Sequence, residues 1–397
     1  MSDPVDHPSY RATVSALAVG QLVSWAILYY GFSSFVLPMM RDLGWSKATL
    51  MGALTLGLTI WGASTYAAGA AIDRGHGRAL MTGGSLLAAA GVALWAVSTE
   101  PWMLYLAWAL IGAAMAMTLY EPAFNVLTKR YPTKYQHGIT ALTLVGGFAS
   151  TLSFPAAAAL IHALGWRGAL GVMAAVLALI IAPLHAWALR GPALVAAPHG
   201  TDIAATATLR EALHTRAFWM LTLTFMLYSF VVAAFWAHVM PAMAAKGISE
   251  AEALAVLVWV GPAQVAGRFV YAWAGRGVSL RKLGAVVLCG LPLSLLILAL
   301  GTHAALLIVF AVLYGVANGL VTIVRGGLVP AYFGRAHVGR IGGTMSAVGL
   351  LARSAAPLAV AGWLLWLPGY REVLLLLSAL GACSVVAFLL ARRPARA

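Results

Sequence analysis

Apolar residues in this chain gather in long runs rather than alternating with polar ones. Twelve runs cover residues 13–38, 48–72, 79–98, 102–127, 138–161, 167–188, 217–240, 252–274, 283–300, 304–331, 341–366 and 371–391, separated by short polar stretches. About 20 apolar residues, rising 1.5 Å each in a helix, cross the hydrocarbon layer of a bilayer. A spanning strand would show about ten residues of alternating polarity instead. The pattern predicts an all-α membrane protein with twelve transmembrane helices and excludes a membrane barrel. The longest polar interval, 189–216, holds Pro192, Pro198, His199, Gly200 and Asp202 and then TLREALHTR, a candidate short amphipathic helix. It divides the chain into a six-helix bundle over 1–190, a cytoplasmic linker over 191–216 and a second six-helix bundle over 217–397.

Composition narrows the class. Charged residues make up 9% of the chain and hydrophobic ones 62%, against about 25% charged in a soluble domain. So little polar surface cannot cover a soluble core, and so much apolar surface excludes disorder. The net charge of +14 does not point to nucleic acid, because the basic residues are spread over short loops. With the N-terminus inside, seventeen Lys and Arg fall on the cytoplasmic side, five (Arg41, Lys47, Arg167, Lys246, Arg371) on the other, and three inside spans. This asymmetry places both termini in the cytoplasm. Cys289 and Cys383 lie within apolar runs and read as small hydrophobes. The N-terminal tail carries Asp3, Asp6 and His7 rather than a basic region, so no cleavable signal peptide is expected.

The two halves repeat. Pro38 and Pro241, Gly44 and Gly247, and Ser46 and Ser249 are each 203 residues apart. YPTKYQHG from Tyr131 matches YFGRAHVG from Tyr332 at an offset of 201, and Pro155 precedes Pro357 by 202. Six spans return the chain to its starting side, so the copies run in the same orientation. Parallel halves with a site between them at mid-membrane are a transporter architecture. The spans also carry stretches rich in small residues, GLTIWGASTYAAGAA and VGGFASTLSFPAAAAL, which let helices approach closely.

Twelve spans, the 6+6 repeat and the central loop resemble the major facilitator superfamily over essentially the whole chain. The loop after span two reads GAAIDRGHGR from Gly69 to Arg78. It is similar to that superfamily's signature, a glycine followed by Asp-Arg and then Gly-Arg, with the second glycine one position late. The resemblance implies that Gly69, Asp73, Arg74 and Arg78 form a cytoplasmic gate. An arginine in span eight, Arg268, and a cation in span eleven, Arg353, resemble the monocarboxylate porters and the oxalate–formate antiporters. That branch often has an acid four residues before the span-eight arginine, where this chain has Gln264.

Four charged side chains lie well inside spans: Glu121, Arg268, Arg325 and Arg353. Each costs at least about 2.5–3.5 kcal/mol there. Three cations against one acid are expected to be answered by an organic anion, which a guanidinium grips with two parallel hydrogen bonds. Arg353, near mid-span, and Arg268 are the first candidates for substrate binding, with Gln264 one turn from Arg268. Glu121 and Arg325 sit at equivalent depths of spans four and ten and are expected to form a salt bridge that opens and closes, with Glu121 carrying a proton. Gln21, Trp25 and Tyr29 follow at i, i+4 and i+8, a stripe on one helix face. The resemblance implies that span one lines the cavity, so these three join the candidate substrate site, with Tyr30 and Tyr120 adjacent. His238, near the outer end of span seven, reads as a packing histidine.

The expected function is proton-coupled secondary transport of small organic anions, monocarboxylates above all, by a monomer in the cytoplasmic (inner) membrane. Its partners are the anion, protons and the bilayer. No cofactor and no metal are expected, and neither HExxH nor a Walker motif is present, so neither metal-dependent hydrolysis nor ATP drive has its parts. The alternative is export of hydrophobic or drug-like compounds, which the 14 Trp and 14 Met would suit. A receptor or channel is disfavoured by the repeat.

Overall fold

The computed structural model describes residues 8–191, 207–275, 277–301 and 303–393. The linker residues Pro192, Pro198, His199, Gly200 and Asp202 lie outside them, as do Asp3, Asp6, His7, Arg276 and Arg396. Every regular element among the described residues is a helix. The chain divides into two compact units, one of Met1–Ile203 with Arg335–Thr344, the other of Ala204–Gly334 with Met345–Ala397.

Unit 1 holds α1 (Tyr10–Ser24), a π-helical segment (Trp25–Tyr30), α2 (Phe32–Leu43), α3 (Lys47–Asp73), α4 (Gly77–Ala96), α5 (Pro101–Thr118), α6 (Tyr120–Arg130), α7 (Tyr135–Gly146), α8 (Ala149–Val176), a second π-helical segment (Leu177–Ile181) and α9 (Ala182–Ala188). Unit 2 holds α10 (Leu209–Leu213), α11 (Arg216–Ala244), α12 (Glu250–Leu257), α13 (Val260–Ala274), α14 (Leu280–Leu300), α15 (Ala304–Phe333), most of α16 (Val338–Trp363) and α17 (Tyr370–Leu390). The first residues of α16, through Thr344, belong to unit 1.

Among the described residues, ten helical stretches are long and apolar enough to cross a membrane. One of them, Tyr135–Ala188, is 54 residues long and contains Gly165 at φ 68° and ψ 170°, where the helix is interrupted. It therefore covers two expected spans. The second expected span is α3, whose Thr, Gly, Ser and Tyr residues keep it less hydropathic than the ten. Each of the twelve expected spans thus has its helix. The short helix expected in the linker is α10, closed by a capping box in which the Thr208 hydroxyl accepts from the Glu211 amide and the Glu211 carboxylate accepts from the Thr208 amide.

The repeat is physical as well as textual. Gly44 and Gly247 both adopt left-handed backbone, at φ 67° and 77°, a conformation that costs a glycine little. Two residues on, Ser46 and Ser249 cap the next helix by accepting from Thr49 N–H and Glu252 N–H. At the same 203-residue offset, α5 crosses α3 with Gly112 against Gly57, while α15 crosses α13 with Gly315 against Val260. A Cβ on Gly112 would overlap the Gly57 carbonyl, and one on Gly315 would stand 2.5 Å from the Val260 carbonyl. Within unit 1, α5 packs on α3 and α4, and α1 on α7. Within unit 2, α15 packs on α13 and α14, and α17 on α11 and α14.

Candidate functional site

Span four, expected as one helix over 102–127, is broken. α5 stops at Thr118, Leu119 turns to φ −75° and ψ −159°, and α6 restarts at Tyr120. Pro122 explains the break: it has no N–H to give the Thr118 carbonyl four residues back. The side-chain amide of Gln21, fully buried, fills that vacancy, with Nε2 donating to Thr118 O at 2.7 Å and to Leu119 O at 3.3 Å. Glu121 stands in the first turn of α6, where the positive end of a helix favours an anion. The position equivalent to Pro122 at the 203-residue offset is Arg325, which has the backbone N–H that proline lacks, and α15 runs through it unbroken.

Losing the Gln21 amide should be felt. Gln21→Leu leaves the Thr118 carbonyl without its donor, a loss of about 1–3 kcal/mol. The expected result is a fall of several degrees in the thermal unfolding midpoint. Pro122→Ala restores the backbone donor, so adding it to Gln21→Leu should recover part of the loss.

The stripe from Gln21 to Tyr29 is not a simple α-helical one, because Trp25–Tyr30 forms π-helix. The wider turn gathers rings. The Trp25 ring lies 5.3 Å from Tyr29, 6.2 Å from Tyr30, 5.9 Å from Trp61 and 5.0 Å from Tyr120. Trp25, Tyr29, Tyr30 and Tyr120 are half-buried, while Trp61 is buried. The indole nitrogens of Trp25 and Trp61 are buried with no hydrogen-bond partner among the described residues, and an indole N–H can only donate. Trp61 was missed from sequence. Its signal was the repeat: Trp25 and Trp61 fall on Tyr228 and Gln264 at the 203-residue offset.

Unit 2 carries the three arginines that lie well inside the expected spans. Arg268 is 5% exposed and its Nε donates to Gly319 O at 3.0 Å, so it does not snorkel to the surface. The close crossing of α13 and α15 makes this contact: a Cβ on Gly319 would lie 2.7 Å from the Gln264 carbonyl. Arg325 Nη2 donates to Ser346 Oγ at 2.6 Å. Arg353 is half-buried on α16, within electrostatic range of the buried Tyr314. Tyr228, also buried, donates to Asn318 Oδ1 at 3.5 Å. His238 donates from Nε2 to Pro357 O at 3.1 Å, a packing contact.

The candidate gate residues lie where α3 ends. Gly75, at φ 91°, makes the turn into α4. Asp73 accepts from the backbone N–H of Gly339 at 3.1 Å and of Arg340 at 2.9 Å, and so caps the start of α16. Lys129 Nζ lies 3.2 Å from Asp73 Oδ1 and donates to Ala336 O at 2.8 Å. Gly69 meets Gly339 backbone to backbone, leaving no room for a Cβ on either. Arg74 is exposed in the turn, and Arg78 Nε donates to Ala186 O at 2.8 Å. Asp73→Ala removes the cap and the ion pair together. It should speed hydrogen exchange at the Gly339 and Arg340 amides about tenfold, the scale of a lost cap.

Residues 17–357 match the family described as Major Facilitator Superfamily. No curated protein matches the chain by sequence. Among solved structures, the human organic anion transporter MFSD10 (TETRAN) is similar at TM-score 0.74 and 18% identity, covering 97% of this chain and 100% of that one. A variant of the E. coli fucose:proton symporter FucP gives TM-score 0.75 at 13% identity, with 97% and 100% covered. FucP in the outward conformation gives 0.73 at 12% identity, with 96% and 98% covered.

Proposed function

Because the chain belongs to the Major Facilitator Superfamily, we propose that this multi-pass membrane transporter, which is not an enzyme, moves small organic anions, monocarboxylates first, by alternating access and in symport with protons. The observation that supports this is the count of charges well inside the spans: Arg268, Arg325 and Arg353 against Glu121. Three cations to one acid give these span positions a net charge of +2, which suits a negatively charged substrate that a guanidinium can grip. Arg353 and Arg268 hold the carboxylate in this reading, with Gln264 beside them. Trp25 and Tyr29 wall the substrate, and Gln21 acts by holding the break before Glu121. Glu121 carries the proton. Gly69, Asp73, Arg74 and Arg78 form the gate. The excess of basic residues at one loop face supports a reading with both termini in the cytoplasm, and the cytoplasmic membrane is the location that goes with it in this proposal.

The matches to an organic anion transporter and a proton symporter bear on the fold; the anion and the proton rest on the residues just named. Uptake of labelled lactate or oxalate into vesicles, with and without an inward proton gradient, tests the reading. Gradient-driven accumulation is the expected result. A second reading, export of hydrophobic compounds, draws on the half-buried aromatic wall. Loss of dye from preloaded vesicles with no carboxylate uptake would favour it and remove the first.

A further inference from the structure

Where the α3–α4 turn meets the ends of α6 and α9, unit 1 forms a small, partly open pocket. Arg78, Lys129 and Arg130 line it, together with the backbone of Gly75 and Gly77. Lys129 is committed to Asp73 and to the Ala336 carbonyl. The two arginines are not answered in charge. Arg130, 8% exposed, donates to the carbonyls of Ala188 and Arg190, and Arg78 gives only its Nε to Ala186 O. Among the described residues neither guanidinium has a carboxylate within 4.0 Å. A third source of positive potential enters the same space. The 20-residue α4 begins at Gly77, and no side chain caps its first turn, which leaves the first-turn N–H groups at the positive end of the helix without a side-chain acceptor.

A plainer role for these arginines is to cap the carbonyls that end α9. One cation with one or two donors does that. Here two guanidiniums line one pocket beside an uncapped helix N-terminus; Arg130 is buried on carbonyls, while Arg78 is exposed and, among the described residues, directs only its Nε to one, which keeps its two Nη groups available to an anion. We propose that this pocket binds a phosphate-bearing anion, held by Arg78 and Arg130 and by the first-turn N–H groups of α4. Guanidinium forks and helix N-termini both match the oxygens of phosphate. The pocket opens at the loop face that carries the basic excess, so the phosphate can belong to an anionic lipid headgroup or to a free ion. The inference does not depend on which substrate the protein transports.

The test is the thermal unfolding midpoint of the full chain purified in a neutral detergent. It is read with added phosphatidylglycerol, with phosphatidylcholine as the zwitterionic control, and with inorganic phosphate against sodium chloride of equal ionic strength. Phosphatidylglycerol is expected to raise the midpoint by about 3 °C or more, as a ligand specific to the native state does. The shift should fall at least by half in Arg78→Gln and vanish in Arg78→Gln/Arg130→Gln. A shift with inorganic phosphate as well assigns the pocket to the phosphate group itself; a shift with the lipid alone assigns it to the headgroup in its bilayer. If the double variant does not fold, Arg78→Gln alone is scored by native mass spectrometry for at least threefold fewer retained phosphatidylglycerol molecules. Equal shifts from both lipids, no shift from any anion, or undiminished binding in Arg78→Gln would overturn the proposal.

Discussion

Arg353→Ala is expected to reduce carboxylate uptake at least about 100-fold, a loss of ~2.7 kcal/mol, while the protein still inserts at normal levels. Arg353 is the sixteenth residue of α16, ~22 Å along the helix from its start at 1.5 Å per residue. That places it well inside the expected span, where a charge is costly. The other two arginines well inside the spans already make bonds of their own: Arg268 is buried with its Nε on the Gly319 carbonyl, and Arg325 donates to Ser346. Arg353→Lys should retain little uptake, because a point charge cannot replace a planar fork that takes both carboxylate oxygens. The measurement is initial uptake of whichever of labelled lactate or oxalate the unaltered chain transports, normalised to the amount in the membrane. Normal uptake in Arg353→Ala would remove this residue from the site.

What the sequence revealed and what it hid follow from the range of the forces involved. The helices were legible because each is an apolar run of membrane length, a property local to about 20 residues. The repeat was legible because left-handed Gly44 and Gly247, and the caps Ser46 and Ser249, need the same residue types in both halves. The break at Leu119 was written in the sequence as Pro122, but an apolar run containing a proline reads as one span until the carbonyl partner is sought. That partner, Gln21, is 97 residues away. The hold of Asp73 on the amides of Gly339 and Arg340 spans 266 and 267 residues, and no local pattern records it. Trp61 was overlooked for a related reason: within α3 it reads as one more large apolar residue of a span, and only the ring of Trp25, 5.9 Å away, distinguishes wall from core. The basic pocket was hidden because Arg78 and Arg130 count as loop charges in the sequence and converge only once α9 ends beside them.

Glu121→Gln should uncouple the carrier. Anion-for-anion exchange across the vesicle membrane should persist, while accumulation driven by a pH gradient should fall to the level seen without one. Glu121 is the only carboxylate well inside the spans, and Gln264 occupies the position where an acid would otherwise serve and cannot titrate. A proton that travels with the substrate would use Glu121, a histidine or the substrate itself, and Glu121 is the carrier proposed. The broken span four suits that task. Glu121 sits in the first turn of α6, directly after the break at Leu119. Glutamine keeps the shape and the hydrogen bonding of the protonated form, so it should leave binding intact and remove only the titration. Exchange and pH-driven uptake are measured in the same vesicles, with equal protein in each. If pH-driven accumulation survives, the proton uses another route and the coupling role of Glu121 falls. If exchange is lost as well, the carboxylate serves architecture, since removing one member of a buried charge pair costs about 3–5 kcal/mol. The double variant Glu121→Gln/Arg325→Gln decides that case: regained exchange would mark the two charges as structural counterweights, and continued loss would return Glu121 to the anion site itself.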